Sequence, residues 1–346
     1  MNAQVFFTPQ FDYQAIHRVF EKALAELPVG IKIHERVAIK VHFGEQGNTG
    51  FVSPEHIRPI IERLKTINQS YLLTDANTLY RGMRYNATDH RRIALEHGFG
   101  ILDTPIVIAD GDFGEDEQLV EINKDIFQKA KIARAIAAAD VILAVSHFKG
   151  HIMFGFGGAI KNIGMGSGSR AGKLEMHSKI RPWVGSGCTG CGACVENCAT
   201  TAITLVNDLA IINPALCTGC AKCIAICEFG AIDVPWGGAT GREVMARTAE
   251  YACGAIKGKK CLCITFINKI TKDCDCLPDT RLIGNDVGIV ASIDPVACDR
   301  AAYDLVLKNH NHTDIFRKVT GIDGTFLLDY ATRTGLGSQK YSLEIC

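Results

Sequence analysis

Residues 188–198 read CTGCGACVENC and residues 217–227 read CTGCAKCIAIC, so one pattern of four cysteines occurs twice in this chain. Each copy has the spacing C-x2-C-x2-C-x3-C, in which three close thiolates hold one cubane cluster and the fourth reaches the other cluster. The spacing therefore predicts two 4Fe-4S clusters. Cluster one is assigned to Cys188, Cys191, Cys194 and Cys227, and cluster two to Cys217, Cys220, Cys223 and Cys198.

Zinc is the alternative occupant, because paired C-x-x-C units also form tetrahedral zinc sites. A doubled four-cysteine run at this spacing favours iron–sulfur clusters instead. Over residues 181–236 the sequence resembles the bacterial-type two-cluster ferredoxins. It differs from that family after the fourth cysteine of each run, where Ala199 and Glu228 replace the usual proline. No cysteine is lost by this difference, so the resemblance implies both clusters.

The overall composition is that of a folded protein with no strongly charged surface. Hydrophobic residues make up 47% of the 346 residues, and the formal net charge is zero. A neutral chain lacks the basic patch typical of nucleic-acid binding, and no apolar run approaches the roughly 20 residues that cross a bilayer. The first residues lack the pattern of a secretory signal. We therefore expect a cytoplasmic protein that binds no nucleic acid, does not insert into a membrane, and keeps its cysteines reduced or bound to metal.

Strand-like and helix-like segments alternate on both sides of the cysteine-rich segment. Apolar runs predict strands at residues 5–8, 37–41, 71–74, 106–109, 141–145, 262–267 and 287–291. Apolar periodicity and capping residues predict helices at residues 11–27, 88–98, 124–139, 242–256 and 294–307. This alternation predicts an α/β fold with a mostly parallel sheet and flanking helices.

The same alternation decides the domain organisation. Residues 1–180 and 237–346 are interpreted as one discontinuous α/β domain, interrupted at residues 181–236 by a small α+β ferredoxin-type module. Within that module, two short apolar runs flank Asn207-Asp208, which predicts a hairpin turn. Three consecutive domains are the alternative.

Polar side chains follow several of the predicted strands. They are His42, Glu45, Asp75, Asn77, His147, Lys149, His151, Asn268 and Asp294. In open α/β sheets, ligands bind outside the carboxyl ends of the strands. As a set these side chains predict one shared ligand-binding cleft, although any one of them is also an ordinary turn or capping residue.

A glycine-rich segment adds two more candidates. Residues 155–168 contain six glycines around Lys161 and Asn162. Backbone amides in such a segment can hold an anion that a lysine neutralises. The alternative is a mobile loop against which the inserted module docks. The candidate catalytic residues are His42, His147, Lys149, His151, Lys161 and Asn162.

Cys274-Asp275-Cys276 is a pair of thiols outside the ferredoxin-type segment. Two thiols one residue apart can share a soft metal, join a further cluster or cycle as a dithiol. Cys263, on the preceding predicted strand, is a candidate for an additional ligand. We therefore expect a metal or redox role near Cys274 and Cys276. Reduced thiols at a strand end are the alternative.

The segments that flank the module resemble the domain of unknown function 362 family. The matching stretches are VAIKVHFGE from Val37, SHFKGH from Ser146, GFGGAIKNIGMG from Gly155, DCDC from Asp273 and ASIDPVACD from Ala291. The resemblance implies a fold and a fused ferredoxin module, but it implies no reaction.

Together these features predict an iron–sulfur protein that passes electrons to a substrate or metal centre in the larger domain, as an oxidoreductase does. The expected partner is a redox protein or a small-molecule electron acceptor. The alternative is a non-catalytic protein of metal handling, iron–sulfur assembly or sensing, whose clusters are structural. The sequence carries no signal for the oligomeric state.

Overall fold

The computed structural model describes residues 2–68, 70–278 and 281–346, and its centre is an eight-stranded sheet. In spatial order the strands are β16 (Tyr341–Ile345), β1 (Ala3–Thr8), β15 (Gly288–Ser292), β14 (Lys260–Ile267), β7 (Val141–His147), β2 (Val37–Lys40), β3 (Tyr71–Asp75) and β4 (Ile106–Ile108). Of the seven neighbouring pairs in the described sheet, five are parallel, and the other two are those of β15 with β1 and β14. The predicted α/β fold with a mostly parallel sheet is confirmed.

Helices cover both faces of this sheet. In chain order the α-helices of the described residues are α1 (Tyr13–Ala25), α2 (Pro54–Ile67), α3 (Ala87–Glu96), α4 (Arg134–Ala137), α5 (Ala159–Ser167), α6 (Arg170–His177), α7 (Ala193–Glu196), α8 (Lys222–Ile226), α9 (Gly241–Ile256), α10 (Pro295–Asn309), α11 (Ile315–Thr320) and α12 (Thr325–Arg333). Of these, α7 and α8 belong to residues 181–236 and not to the layers on the sheet. None of the helices in the described ranges is long and apolar enough to span a bilayer.

Strand β7 shows why its sequence is a continuous apolar run. Ile142 and Ala144 belong to the core formed with α5, α9 and α10, whereas Leu143 and Val145 belong to the core formed with α1 and α2. Successive side chains of a strand point to opposite faces, so a strand buried on both faces is apolar throughout. The same double burial places the ends of β7 and its neighbours inside the molecule.

The predicted helix at residues 124–139 is wrong. That segment contains β6 (Lys129–Ala133), which pairs with β5 (Glu117–Glu121) in an antiparallel hairpin, and then the single turn α4. Its alanines and lysines have high helix propensity, but propensity yields to tertiary context. In β6 the side chains of Ala130 and Ile132 are buried and those of Lys129 and Lys131 are more exposed, which is the period of a strand, while Ala133 at the strand end is buried as well.

Residues 181–236 form small sheets of their own. Strands β10 (Trp183–Val184) and β13 (Ile232–Asp233) pair with each other, as do β11 (Ile203–Val206) and β12 (Leu209–Ile212). The hairpin predicted at Asn207-Asp208 is confirmed, with both residues in the left-handed region. These elements and helices α7 and α8 enclose a separate apolar cluster, to which Leu79 and Leu174 of the larger part of the chain also belong.

The glycine-rich segment is ordered secondary structure rather than an open loop. Strand β9 (Gly155–Gly157) pairs with β8 (Lys149–His151), and helix α5 follows directly. The first amides of α5, at Ala159 and Ile160, donate to the Asp299 carboxylate at 2.6 and 2.9 Å. Because a protein carboxylate already occupies them, the interpretation of this segment as a backbone cradle for an anion is corrected. Burial raises the pKa of Asp299 to about 7.

Candidate functional site

The eight cysteines of the repeated motif surround two separate hollows. Hollow one is lined by the four cysteines assigned to cluster one, namely Cys188, Cys191, Cys194 and Cys227. Hollow two is lined by the four assigned to cluster two, namely Cys198, Cys217, Cys220 and Cys223. The fold therefore brings each fourth cysteine to the three of the other run, which is the exchange that the spacing predicts.

Backbone amides point at cysteine sulfurs in both hollows. The amide of Ala210 lies 3.4 Å from the Sγ of Cys188, and the amide of Ala231 lies 3.3 Å from the Sγ of Cys227. The amide of Ala202 makes the same contact with Cys198, at 3.3 Å. Hydrogen bonds of this kind stabilise thiolates and tune the potential of iron–sulfur clusters. The hydrogen bond from Ala210 lowers the pKa of Cys188.

The donor chemistry of both hollows fits a cluster of four irons. Four cysteines facing a common space and receiving amide hydrogen bonds are the ligand set that such clusters use. In the part of the chain that the structure describes, no group of three or more His, Cys, Asp or Glu side chains is arranged to hold a metal ion.

A cavity of about 380 Å³ lies at the carboxyl ends of the central strands, and we call it the strand-end cavity. Parallel neighbours β2, β3, β7 and β14 all end at this edge of the sheet, which brings their following residues together. The sequence-predicted residues that line it are His42, Asp75, His147, Lys149, His151, Lys161, Asn162, Cys274 and Cys276.

Other predicted residues lie elsewhere. Asp294 follows β15, which runs antiparallel to its neighbours, so it lies at the opposite edge and caps α10. Asn77 donates to the buried Asp110 carboxylate at 3.0 Å. Cys263 faces the core on the α5 and α9 side, with its Sγ 3.9 Å from that of Cys261. It does not line the cavity with Cys274 and Cys276.

A buried ion cluster forms one wall of the strand-end cavity. Lys40 Nζ lies 2.8 Å from an Asp75 oxygen, and Arg84 Nη1 lies 3.3 Å from the other. Arg84 also contacts Glu45 at 3.3 Å. Burial by itself raises the pKa of Asp75, but the charge of Lys40 and the imidazole of His90, 3.5 Å away, outweigh it, and that pKa lies well below its usual value. Asp75 is therefore a charged structural group rather than an acid.

Asn162 holds α5 against the sheet. Its Oδ1 accepts from Lys40 Nζ at 2.8 Å, and its Nδ2 donates to Val145 O and Ser146 Oγ, both at 3.0 Å. Because both ends of its amide are used by protein groups, Asn162 positions the neighbouring Lys161 and does not reach for a ligand itself.

His147, Asp275 and Lys149 form a second buried charged group. His147 Nε2 lies 2.8 Å from the carbonyl oxygen of Asn268, and its Nδ1 lies 3.0 Å from an Asp275 oxygen. Both partners accept hydrogen bonds, so the doubly protonated imidazolium satisfies both. Lys149 Nζ lies 3.2 Å from the second Asp275 oxygen. Although burial raises it, the pKa of Asp275 lies far below its usual value because Lys149 and His147 favour the carboxylate.

Sequence reasoning missed several residues that line the cavity. They are Lys40, Tyr80, Arg84, Lys173, His177 and Trp236. Burial lowers the pKa of Lys173 to about 8 and that of His177 to about 4. Lys40 could have been predicted from the sequence, since a lysine inside the apolar strand VAIK must find a buried partner. The others come from loops and from α6, where no spacing pointed to them.

Cations outnumber carboxylates on the wall of the cavity. Among the described residues, Asp75 is the carboxylate that lines it, against the cationic side chains Lys40, Arg84, Lys149, Lys161 and Lys173. Asp275 and Glu45 offset part of this charge from behind the wall. Lys161 lies with its Nζ 5.7 Å from the centroid of the Phe154 ring. Such a wall favours a small anionic ligand.

Comparison with known proteins identifies the family of the chain. A family model described as Domain of unknown function (DUF362) matches residues 37–304, which is most of the chain. The chain belongs to the DUF362 family. The resemblance inferred from the segments VAIKVHFGE and ASIDPVACD is thus confirmed, while the ferredoxin-type module remains a prediction. Both hollows and the strand-end cavity lie within the DUF362 match.

Other comparisons with this DUF362 protein add little about function. No curated protein matches the chain. Among solved structures it is similar to the lactate racemase apoprotein from Thermoanaerobacterium thermosaccharolyticum, with 15% identity and a TM-score of 0.36. The match covers 78% of this chain and 52% of that one, so the chain spans about half the length of that protein. A similarity at this level supports no shared activity.

Proposed function

We propose that this protein is an iron–sulfur oxidoreductase that exchanges electrons between two 4Fe-4S clusters and a small anionic molecule in the strand-end cavity. The observation that carries the proposal is the grouping of the eight motif cysteines into two hollows of four. Cys188, Cys191, Cys194 and Cys227 would hold one cluster, and the other four cysteines the second. Clusters of this type supply single electrons.

A shared loop connects the cluster-binding part to the cavity. Arg81 donates to the carbonyl oxygens of Cys227 and Glu228, at 2.6 and 3.0 Å. Immediately before it in the chain, Leu79 and Tyr80 line the strand-end cavity. Trp236, the last residue of the module, also lines the cavity, with its ring centroid 5.0 Å from that of His177. These contacts between the cluster-binding part and the strand-end cavity support electron exchange between them within one chain, rather than two sites with unrelated roles.

The residues of the cavity suit the binding and protonation of an anion. Lys149 and Lys161 attract negative charge. The amide of Met153 donates to His151 Nδ1 at 3.1 Å, so neutral His151 carries its proton on Nε2. Burial lowers the pKa of His151 far below its usual value, which keeps the ring neutral. His151 can therefore donate a hydrogen bond to a ligand without adding a charge.

Cys191 and Cys220 are exposed, which leaves an outer edge at each hollow where an external redox protein could exchange electrons. We infer a reducing compartment such as the cytoplasm for such chemistry. The same exposure suits a metal-handling or sensing protein, which is the second candidate. Reversible reduction of the clusters in a redox titration supports electron transfer, whereas reduction only on unfolding supports a structural or sensing role.

The cofactor is tested by anaerobic purification with iron, sulfide and zinc analysis. We expect about eight irons per chain. Cys191→Ala and Cys220→Ala should each lose about half of that iron, because each removes a ligand of one cluster only. Cys253→Ala is the matched control, since its thiol lies on α9 outside both hollows, and it should keep all the iron. Stoichiometric zinc without iron contradicts the proposal.

The electron acceptor is tested with the reduced protein and a panel of reducible small carboxylates and organic phosphates. We expect at least one to restore the visible absorption of the clusters with saturable kinetics. Lys161→Met should raise the concentration for half-maximal rate by about tenfold or more, because a charge-assisted hydrogen bond contributes about 1.5–3 kcal/mol. The control Lys129→Met changes an exposed lysine on β6. If Lys161→Met and Lys129→Met show equal kinetics, the assignment of the strand-end cavity as the binding site of the electron acceptor is wrong.

A further inference from the structure

Cys274 and Cys276 face the strand-end cavity from a turn that the protein holds in place. The amide of Leu277 donates to the carbonyl oxygen of Cys274 at 3.0 Å, which closes a β-turn over residues 274–277. Glu45 donates its amide to Asp275 O at 2.9 Å, and Asn48 Nδ2 donates to Leu277 O at 2.8 Å. The charged side chain of Asp275 is held by His147 and Lys149. The two thiols therefore have a fixed relative position.

A turn of this kind brings the two thiols within bonding reach. Cys274 and Cys276 are the first and third residues of this turn. Two Cα–Cα steps of about 3.8 Å, bent by the turn, separate their Cα atoms by less than the roughly 7 Å of an extended chain, within the range of about 4.4–6.8 Å that a disulfide spans. Both thiols line the cavity. A disulfide between Cys274 and Cys276 thus requires rotation of side chains rather than movement of the sheet.

His42 supplies a hydrogen bond to the sulfur of Cys276. The amide of Gly44 donates to His42 Nδ1 at 3.0 Å, so Nδ1 is unprotonated and neutral His42 carries its proton on Nε2. Nε2 lies 3.3 Å from the Sγ of Cys276. Burial lowers the pKa of His42, which favours this neutral form. The donor therefore points at Cys276 and stabilises its thiolate.

The two thiols consequently have different properties. Their mutual hydrogen bond lowers the pKa of Cys276, and the charge of Arg84 and the hydrogen bond from His42 lower it further, to well below its usual value despite burial. The same hydrogen bond, together with burial, raises the pKa of Cys274. A thiolate beside a protonated thiol is the arrangement of a nucleophilic and a resolving cysteine.

We propose that Cys274 and Cys276 are a redox-active dithiol, which stores two electrons in the wall of the strand-end cavity. On oxidation, the Cys276 thiolate and the Cys274 thiol form a disulfide and release two electrons and one proton. An anionic two-electron acceptor in the cavity takes up those electrons, this proton and one proton from solvent. On reduction, the disulfide takes up two electrons and one proton, and the electrons come from the iron–sulfur module. The inference rests on the proposed function for this electron source alone.

The dithiol is tested by trapping its thiols at defined redox poise. The cluster-containing protein is equilibrated anaerobically in mixtures of reduced and oxidised dithiothreitol, quenched in acid, and labelled with N-ethylmaleimide. Trypsin cleavage after Lys272 and Arg281 releases one peptide, DCDCLPDTR, that contains both cysteines. We expect this peptide to pass from two labels to none in one step, with the loss of two hydrogen atoms. A peptide that keeps both labels in the most oxidising mixture overturns the proposal.

The activated thiolate is tested by alkylation with iodoacetamide near neutral pH. Cys276 should react first, and His42→Gln should slow that reaction by about tenfold or more, corresponding to one pKa unit. Cys253 is the internal control, because burial raises its pKa and it lies outside the cavity. A bound metal other than iron that Cys276→Ser removes would overturn the dithiol in favour of a metal site. Neither labelling readout depends on cluster content, so a failure of the proposed function would be seen separately in the iron analysis.

Discussion

Replacing Asp75 with leucine is expected to lower the free energy of unfolding by about 3–5 kcal/mol, because removing one partner of a buried ion pair leaves an uncompensated charge. Asp75 is 3% exposed and Lys40 is 1% exposed, so neither gains much from water. Without the carboxylate, Lys40 and Arg84 would be left facing each other in the wall of the strand-end cavity. Urea unfolding followed by circular dichroism under anaerobic conditions measures the effect.

A double-mutant cycle separates the pair from its surroundings. Lys40→Met combined with Asp75→Leu should recover much of the loss, since an apolar pair of similar size often replaces a buried ion pair without cost. Arg84 keeps Glu45 as its partner in this background. The control is Glu121→Gln, which breaks an exposed ion pair with Lys129 on the β5–β6 hairpin and should change stability by less than about 1 kcal/mol. If Asp75→Leu matches the control, the buried carboxylate is not held charged by Lys40 and Arg84.

Asp75 is also one of the residues whose position at the strand-end cavity could be predicted from the sequence. The apolar runs of β2, β3 and β7 predicted parallel strands, and the residues after parallel strands must meet at one edge. His42, Asp75 and His147 were located by this rule alone, without knowledge of any contact. The spacing of the eight cysteines in the repeated motif had the same power, since it specified which fourth cysteine joins which run.

Where the rule failed, the missing information was strand direction. Asp294 follows β15 just as His147 follows β7, but β15 runs antiparallel and delivers it to the far edge. Hydrophobic runs do not encode direction when both faces of a strand are buried. Arg84 and His177 were not predicted as residues of the cavity, for another reason. They come from a loop and from α6, and their role depends on tertiary contacts that local sequence does not specify.

The glycine-rich segment was misread for a third reason, because glycine count does not distinguish a turn from a close helix contact. Gly164 has no positive φ and sits within α5, where alanine has the higher helix propensity by about 1 kcal/mol. A Cβ there would overlap the carbonyl oxygen of Thr248 on α9 and lie 2.8 Å from its Cγ2. The glycine is thus required by the approach of two helices, which no local propensity scale reports.

Gly164→Ala therefore separates propensity from packing by the sign of its effect. Propensity alone predicts a gain of about 1 kcal/mol, whereas the overlap with Thr248 predicts a loss of about 2–3 kcal/mol. We expect the loss, measured by urea unfolding, because the obstructing atom is backbone and cannot rotate away. The substitution should also weaken binding in the strand-end cavity, since α5 carries Lys161 and Asn162. Gly321→Asn is the control, as Gly321 faces open space and asparagine tolerates its left-handed conformation, and it should lose no more than about 1 kcal/mol. If Gly164→Ala stabilises the protein, α5 and α9 are not packed this closely. The position assigned to Lys161 on α5 would then be wrong as well.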